Sequence, residues 1–309
     1  MADIATRIAY GEFLVEEAKK NDRLVVLDAD LSKSTKTADF AAQNKGRFFD
    51  MGIAEQNMMG VAAGLALSGK IVCASTFAMF AAGRAFEIIR NSIGYTHANV
   101  KICATHAGIT VGEDGASHQT FEDLALMRTI PGMTVVNPSD AASAKLLLSQ
   151  AVNDIDGPCY IRLGRAAVPV FYDESSDLKI GKGNQLRPGT DVTVIATGIM
   201  VASAMEAASE LAEEGIDVRV IDMHTIKPID EEIIVRAAQE TGKIVTAEEH
   251  SVIGGLGGAV AEVTARLCPC RIEMVGQHDT FGESGKPAEL RDKYGMTAKD
   301  IVAAVREIY

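Results

Sequence analysis

The sequence predicts an α/β protein made of two doubly wound, mainly parallel-sheet domains. Three observations predict it. Strand-like apolar runs alternate with helix-like stretches from end to end, the pattern of parallel strands covered by helices on both faces. A polar stretch rich in turn formers, "YDESSDLKIGKGNQLRPGT" at 172–190, divides the alternation into two series. A length of 309 residues gives each series enough chain for its own core.

The first series holds the strand candidates "RLVVLDADL", "KIVCAST", "VKICATHA", "MTVVNP" and "CYIRLG". Helical stretches at 53–68, 78–95 and 140–153 separate them. The second series holds "DVTVIATG", "IDVRVIDMH", "KIVTAEEH" and "CRIEMVGQ". The domains are placed at 1–172 and 190–309, joined by a linker over 173–189. Helix 53–68, "IAEQNMMGVAAGLALS", is apolar nearly all round, so it is expected to be buried. Gly60 and Gly64 would let another backbone approach it, which points to a subunit interface.

Composition excludes several classes. The formal charge is −12. Nucleic acids and anionic membranes need clustered Lys and Arg, so both are poor partners. A small anionic substrate remains open if a local basic pocket exists. The five cysteines lie at 73, 103, 159, 268 and 270, and "CPC" has the wrong spacing for a redox or zinc motif. They are read as reduced thiols, which suits the cytosol. The N-terminus reads as an amphipathic helix rather than a signal peptide. No run of 18 apolar residues spans a membrane.

Four features carry chemistry. "GGLGGAV" at 254–260 resembles a dinucleotide loop, but position 260 is Val, so the spacing fails. Glu55 opens the dry helix 53–68. A buried carboxylate needs a partner, and none stands nearby in the sequence. Phe77 and Phe80 sit at a strand-to-helix junction, where open α/β sheets bind ligands, and could wall a flat pocket. Finally, "THAGITVGEDGASHQ" puts His106, Glu113, Asp114 and His118 in one glycine-rich loop. Gly108, Gly112 and Gly115 would let its backbone approach a ligand. Histidines titrate near neutrality, so His106 and His118 could bind anions or move protons. Arg7, Ser34 and Arg165 are candidates for phosphate contact, with Arg162 a competitor.

Together "IATR", "MGIAEQNMMGVAAGLALSG", "STFAMF" and "THAGITVGEDGASHQTFEDLALMRTIPGMTVVNPSD" resemble the C-terminal half of transketolase, over essentially the whole chain. The resemblance implies a pyrimidine-binding domain followed by a transketolase C-terminal domain, and a thiamine diphosphate cofactor. The family's diphosphate-binding GDG motif is missing, so no Mg²⁺ ligand is expected in this chain. The implied protein is one subunit of a split transketolase. A separate N-terminal partner would bring the diphosphate-binding domain and the Mg²⁺ ligands, in an α2β2 assembly.

Residue by residue, the resemblance implies that Glu55 hydrogen-bonds the aminopyrimidine ring and that Phe77 and Phe80 line its pocket. It implies that His118 and Asp114 touch the donor's hydroxyls, with His118 also moving protons. It implies that His106, Arg7, Ser34 and Arg165 hold a sugar phosphate. The implied reaction moves a two-carbon ketol unit from a ketose phosphate to an aldose phosphate, as in the pentose phosphate pathway. The family's further aromatic falls at Gly83 here, so the pocket is expected to be more open or filled by a partner. Deoxyxylulose-phosphate synthases share much of the loop but have an Asp-Arg pair where this chain has "THA". Oxo acid dehydrogenase β subunits share the split layout without the "GEDG" loop. A non-catalytic scaffold would have little use for Glu55, Phe77, His106, Asp114 and His118.

Overall fold

The computed structural model describes residues 3–309; the first two residues of the expected first domain lie outside the described residues. The chain begins with β1 (Ile4–Ala5), α1 (Thr6–Glu17), β2 (Leu24–Asp28), α2 (Ser32–Thr35), α3 (Ala38–Gln43), β3 (Phe48–Asp50) and α4 (Glu55–Leu67). It continues through β4 (Ile71–Phe77), α5 (Phe86–Ile88) between wide π-helical turns, β5 (Val100–Thr105), α6 (Asp123–Thr129), β6 (Thr134–Val136), α7 (Ala141–Asn153), β7 (Cys159–Arg162) and β8 (Ala167–Val168). The second half runs β9 (Asn184–Arg187), β10 (Val192–Ala196), α8 (Met200–Glu213), β11 (Val218–Asp222), β12 (Thr225–Lys227), α9 (Glu231–Thr241), β13 (Lys243–Ser251), α10 (Leu256–Leu267), β14 (Arg271–Gln277), α11 (Pro287–Lys293) and α12 (Ala298–Ile308).

Two large sheets result, as the alternation predicts, beside a two-stranded antiparallel ribbon of β1 and β8. The first is seven-stranded, in the order β12-β6-β7-β5-β4-β2-β3, and the second five-stranded, β14-β13-β10-β11-β9. Strands β2, β4, β5 and β7 are buried along their whole length, as continuous apolar runs covered on both faces must be. Only β12 in the first sheet and β9 in the second run antiparallel to their neighbours.

The two halves are not cleanly separated. Strand β12 comes from the second half yet extends the first sheet by pairing with β6. Strand β9 lies inside the stretch read as a linker and pairs with β11. Both are short and would read as loop on periodicity alone. One apolar cluster crosses the seam, packing Met127, Ile130 and Val135 with Ile221, Met223 and Ile226.

Helix α4 departs from the expectation of burial on all sides. Met58, Met59, Ala62, Ala63 and Ala66 pack inward, while Gly60 and Gly64 face open space. The single chain covers one side of a helix that is apolar on both. Stretch 78–95 is helical, but its turns widen: Ala85 N–H bonds back to Phe80, five residues earlier. All five cysteines are unpaired thiols. Among the described residues, no helix is long and apolar enough to cross a membrane.

Candidate active site

The candidate residues meet at one end of the first sheet, outside the carboxyl ends of its parallel strands, where doubly wound sheets bind ligands. Phe77 ends β4, His106 follows β5 and Arg165 follows β7. Ser34 lies in the short helix α2 after β2, and Glu55 opens α4 just after β3. Arg7, in the first turn of α1, reaches the same rim.

A continuous chain of contacts joins them. Glu55 is 2% exposed, and one carboxylate oxygen accepts a hydrogen bond from Arg84 at 3.0 Å. So Glu55 has a protein partner, which the local sequence did not reveal because it lies 29 residues downstream. The Arg84 guanidinium also lies 4.9 Å from the centre of the Phe80 ring. Phe80 and Phe77 are near-parallel, with centroids 5.9 Å apart and planes at 15°. Phe77 stacks on His106 at 3.9 Å. A buried carboxylate beside two near-parallel rings fits a flat, protonatable heteroaromatic ring. Gly83 does not leave this wall open: a Cβ there would lie 2.4 Å from the Met79 methyl, so the chain's own Met79 fills that space.

The basic half of the site follows. Arg7 Nη1 donates to the Ser34 carbonyl at 2.8 Å and faces His106 Nε2 at 3.3 Å. Because a guanidinium only donates, Nε2 must accept, leaving Nδ1–H to donate to Thr105 Oγ1 at 2.9 Å. Burial first, then the charges of Arg7, Arg165, His118 and Lys36, push the His106 pKa down to about 3. It is therefore neutral at pH 7, which corrects the expectation that it titrates near neutrality. Ser34 contributes its carbonyl here, not its hydroxyl.

Asp28 holds the Ser34 turn. It accepts from Leu31 N at 2.7 Å, Thr35 Oγ1 at 2.7 Å and Thr37 Oγ1 at 2.9 Å, and burial raises its pKa to about 6. Lys36 and Arg84 join the site with no local sequence signal to mark them. Lys36 stands two residues after Ser34, in a left-handed conformation at φ 71°.

The loop after β5 completes the rim. His118 meets Phe80 edge-on at 5.3 Å, and its Nδ1 lies 2.9 Å from Ser117 Oγ. Arg165 donates to the Val111 carbonyl and lies 3.2 Å from Glu113 and 3.9 Å from Asp114. The loop acids thus pair with an arginine, not with the histidines. Arg162, the competitor for phosphate, is committed elsewhere. It is buried, grips Asp123 at 2.8 and 3.2 Å, and donates to the Glu249 carbonyl at 2.9 Å. The loop glycines face the second domain, not a ligand. A Cβ on Gly108, Gly112 or Gly115 would meet Glu249, Pro287 or Ser284. Among the described residues, no cluster of three or more His, Cys, Asp or Glu side chains is arranged to hold a metal ion.

The second rim explains why "GGLGGAV" is no dinucleotide loop. The carboxylate of Glu248 accepts from Leu256 N at 2.7 Å and Gly257 N at 2.8 Å, so the chain fills its own anion site at the start of α10.

Comparisons with known proteins place both halves of the chain in one family. Residues 2–170 match the family "Transketolase, pyrimidine binding domain", and residues 181–301 match "Transketolase, C-terminal domain". A putative transketolase C-terminal section from Methanocaldococcus jannaschii is 51% identical over 304 residues, covering 97% of this chain and 95% of that protein. A 6-deoxy-6-sulfo-D-fructose transketolase subunit from a Clostridium species is 46% identical over 302 residues, covering 98% of this chain and 94% of that one. A solved split gene transketolase, described as an inactive beta4 tetramer, superposes with a TM-score of 0.91 at 56% identity, covering 99% of this chain and 98% of that chain. The chain therefore belongs to the transketolase family, with the domains of a split transketolase's C-terminal subunit, and family membership implies dependence on thiamine diphosphate.

Proposed function

We propose that the chain is the C-terminal subunit of a split transketolase that moves a two-carbon ketol unit from a ketose phosphate to an aldose phosphate, as in the pentose phosphate pathway. The donor's C2–C3 bond breaks, leaving an aldose two carbons shorter. A new carbon–carbon bond forms to the acceptor's aldehyde carbon. Thiamine diphosphate, when bound, supplies the carbanion chemistry. A separate N-terminal subunit brings the diphosphate-binding domain and the Mg²⁺ ligands. The open side of α4, with Gly60 and Gly64, suits the interface of an α2β2 assembly. Five free thiols suit the cytosol.

One observation carries this reading. The buried Glu55 with its aromatic wall and the cations Arg7, Lys36 and Arg165 lie on one rim of a chain whose net charge is −12. Glu55 would hold the pyrimidine ring through a shared proton, and Phe77 and Phe80 would line its pocket. Arg7 and Arg165 hold the donor's phosphate, with His106 and Ser34 fixing Arg7. Asp114 and His118 hold the donor's hydroxyls, and His118 moves their protons.

A second reading keeps the chemistry and changes the anion. One relative is named for a sulfonated sugar, and the same cations would bind a sulfonate. The test is a pull-down from native cytosol, assayed for thiamine-dependent ketol transfer from a ketose phosphate and from its sulfonated analogue. Transfer only with a co-purified chain supports the split enzyme, and the better donor identifies the anion. Transfer by this chain alone, or a stable complex with no transfer, overturns the proposal.

A further inference from the structure

The three glycines of the substrate loop all lie against the second domain. We propose that Glu249, on β13, is a positioning residue that sets this loop, so that the second domain tunes donor binding without touching the donor. The inference rests on reading the loop as the donor-binding element.

Glu249 is 2% exposed. Its Oε1 accepts the backbone N–H of Thr110 at 2.7 Å. Gly108 (φ 79°) packs directly on the carboxylate: a Cβ there would lie 2.2 Å from its carbon. The other oxygen lies 3.9 Å from Arg162, which Asp123 locks in place. A backbone N–H bonded to a carboxylate is a charge-assisted hydrogen bond, stronger than a neutral one. Downstream, Gln119 Nε2 donates to the carbonyls of Ile109 at 3.3 Å, Gly112 at 3.4 Å and Glu283 at 3.0 Å. The loop is thus held at its first turn by Glu249 and at its end by Gln119, with His118 next to the second anchor. His106, two residues before Gly108, has a strained backbone at φ 58°. Losing the Glu249 contact leaves a buried N–H without a partner and frees the turn that sets this strain.

The test uses the full chain assembled with its partner subunit. Glu249→Ala should raise the KM for a phosphorylated ketose about five- to tenfold, with kcat and the acceptor's KM within about twofold. Glu249→Gln keeps a carbonyl for Thr110 and should restore donor KM to within about twofold. Glu249→Asp keeps the charge beside Arg162, so it folds where alanine fails. Its shorter reach should reproduce the KM defect. Hydrogen exchange over 106–118 in the chain alone should quicken about tenfold in Glu249→Ala or Glu249→Asp, and not in Glu249→Gln. A loss of kcat at unchanged KM, equal behaviour of all variants, or unchanged loop exchange would overturn the proposal. If the wild-type assembly transfers no ketol unit, the functional reading falls, and the exchange data still decide whether Glu249 sets the loop.

Discussion

The two sheets share one architecture and put their strand ends to opposite uses. The first sheet's rim stays open, lined by Glu55, Phe77, Phe80, Arg7 and the loop after β5. The second sheet's rim is plugged by the first domain. Gly198, after β10, packs so closely on Asn137 that a Cβ would lie 2.6 Å away. Asp222, ending β11, accepts from Ser139 Oγ at 2.7 Å and Tyr172 Oη at 3.1 Å. Glu248 and Glu249 bind the chain's own N–H groups. A doubly wound sheet supplies a place for a ligand, and what the rest of the chain lays over it decides whether one enters. Here the plugged rim braces the open one.

The largest effect should come from the open rim. Glu55→Ala should cut kcat of the assembled enzyme about 10²–10⁴-fold, the usual range for losing a positioned acid–base group, measured by steady-state ketol transfer. A near wild-type rate would remove Glu55 from the chemistry. Next in size, Arg7→Ala should raise KM for a phosphorylated ketose about 10–100-fold, since a charged hydrogen bond is lost. The same ketose without its phosphate should change by no more than about threefold. Equal losses on both donors would mean that Arg7 supports structure rather than the phosphate.

Acid and base should then separate the two rims. His106 is held at about 3, well below its usual 6.5, so the folded state binds fewer protons than the unfolded chain between those values. Its contribution to stability is present above about 6.5 and is lost as pH falls towards about 3. Burial raises Asp222 to about 7 from its usual 3.8, so its contribution is present below about 4 and is lost as pH rises through about 7. Denaturation midpoints from pH 4 to 8 test this. His106→Asn should lose less stability than wild type on acidification, and Asp222→Asn less on alkalinisation. Parallel curves for wild type and both variants would break the contrast. The smallest effect belongs to Glu113, exposed and 3.2 Å from Arg165. Glu113→Gln frees Arg165 and should lower KM for a phosphorylated donor about twofold at low salt, with the gain vanishing at high salt. An unchanged or raised KM would mean that Arg165 does not meet the phosphate.

The sequence by itself determined the layered architecture and the strand ends at which the candidate residues gather. Short apolar runs such as "LVVL", recurring between helix-like stretches, read as strands buried on both faces. Glu55, Phe77, His106 and Arg165 all follow or open elements at strand ends, so their shared rim follows from the parallel alternation. Tertiary structure alone decided the pairings. Arg84 reaches Glu55 across 29 positions, β12 crosses into the first sheet, and Arg162 points into the seam while Arg165, three residues on, faces the loop. Gly108, Gly112 and Gly115 looked like approaches to a ligand, but the surface they approach is the second domain. Periodicity records whether a residue is buried and which way its element runs, whereas a partner is set by distance in space. The neutrality of His106 likewise depends on burial and on four positive or ionisable neighbours drawn from different segments, which no local pattern contains.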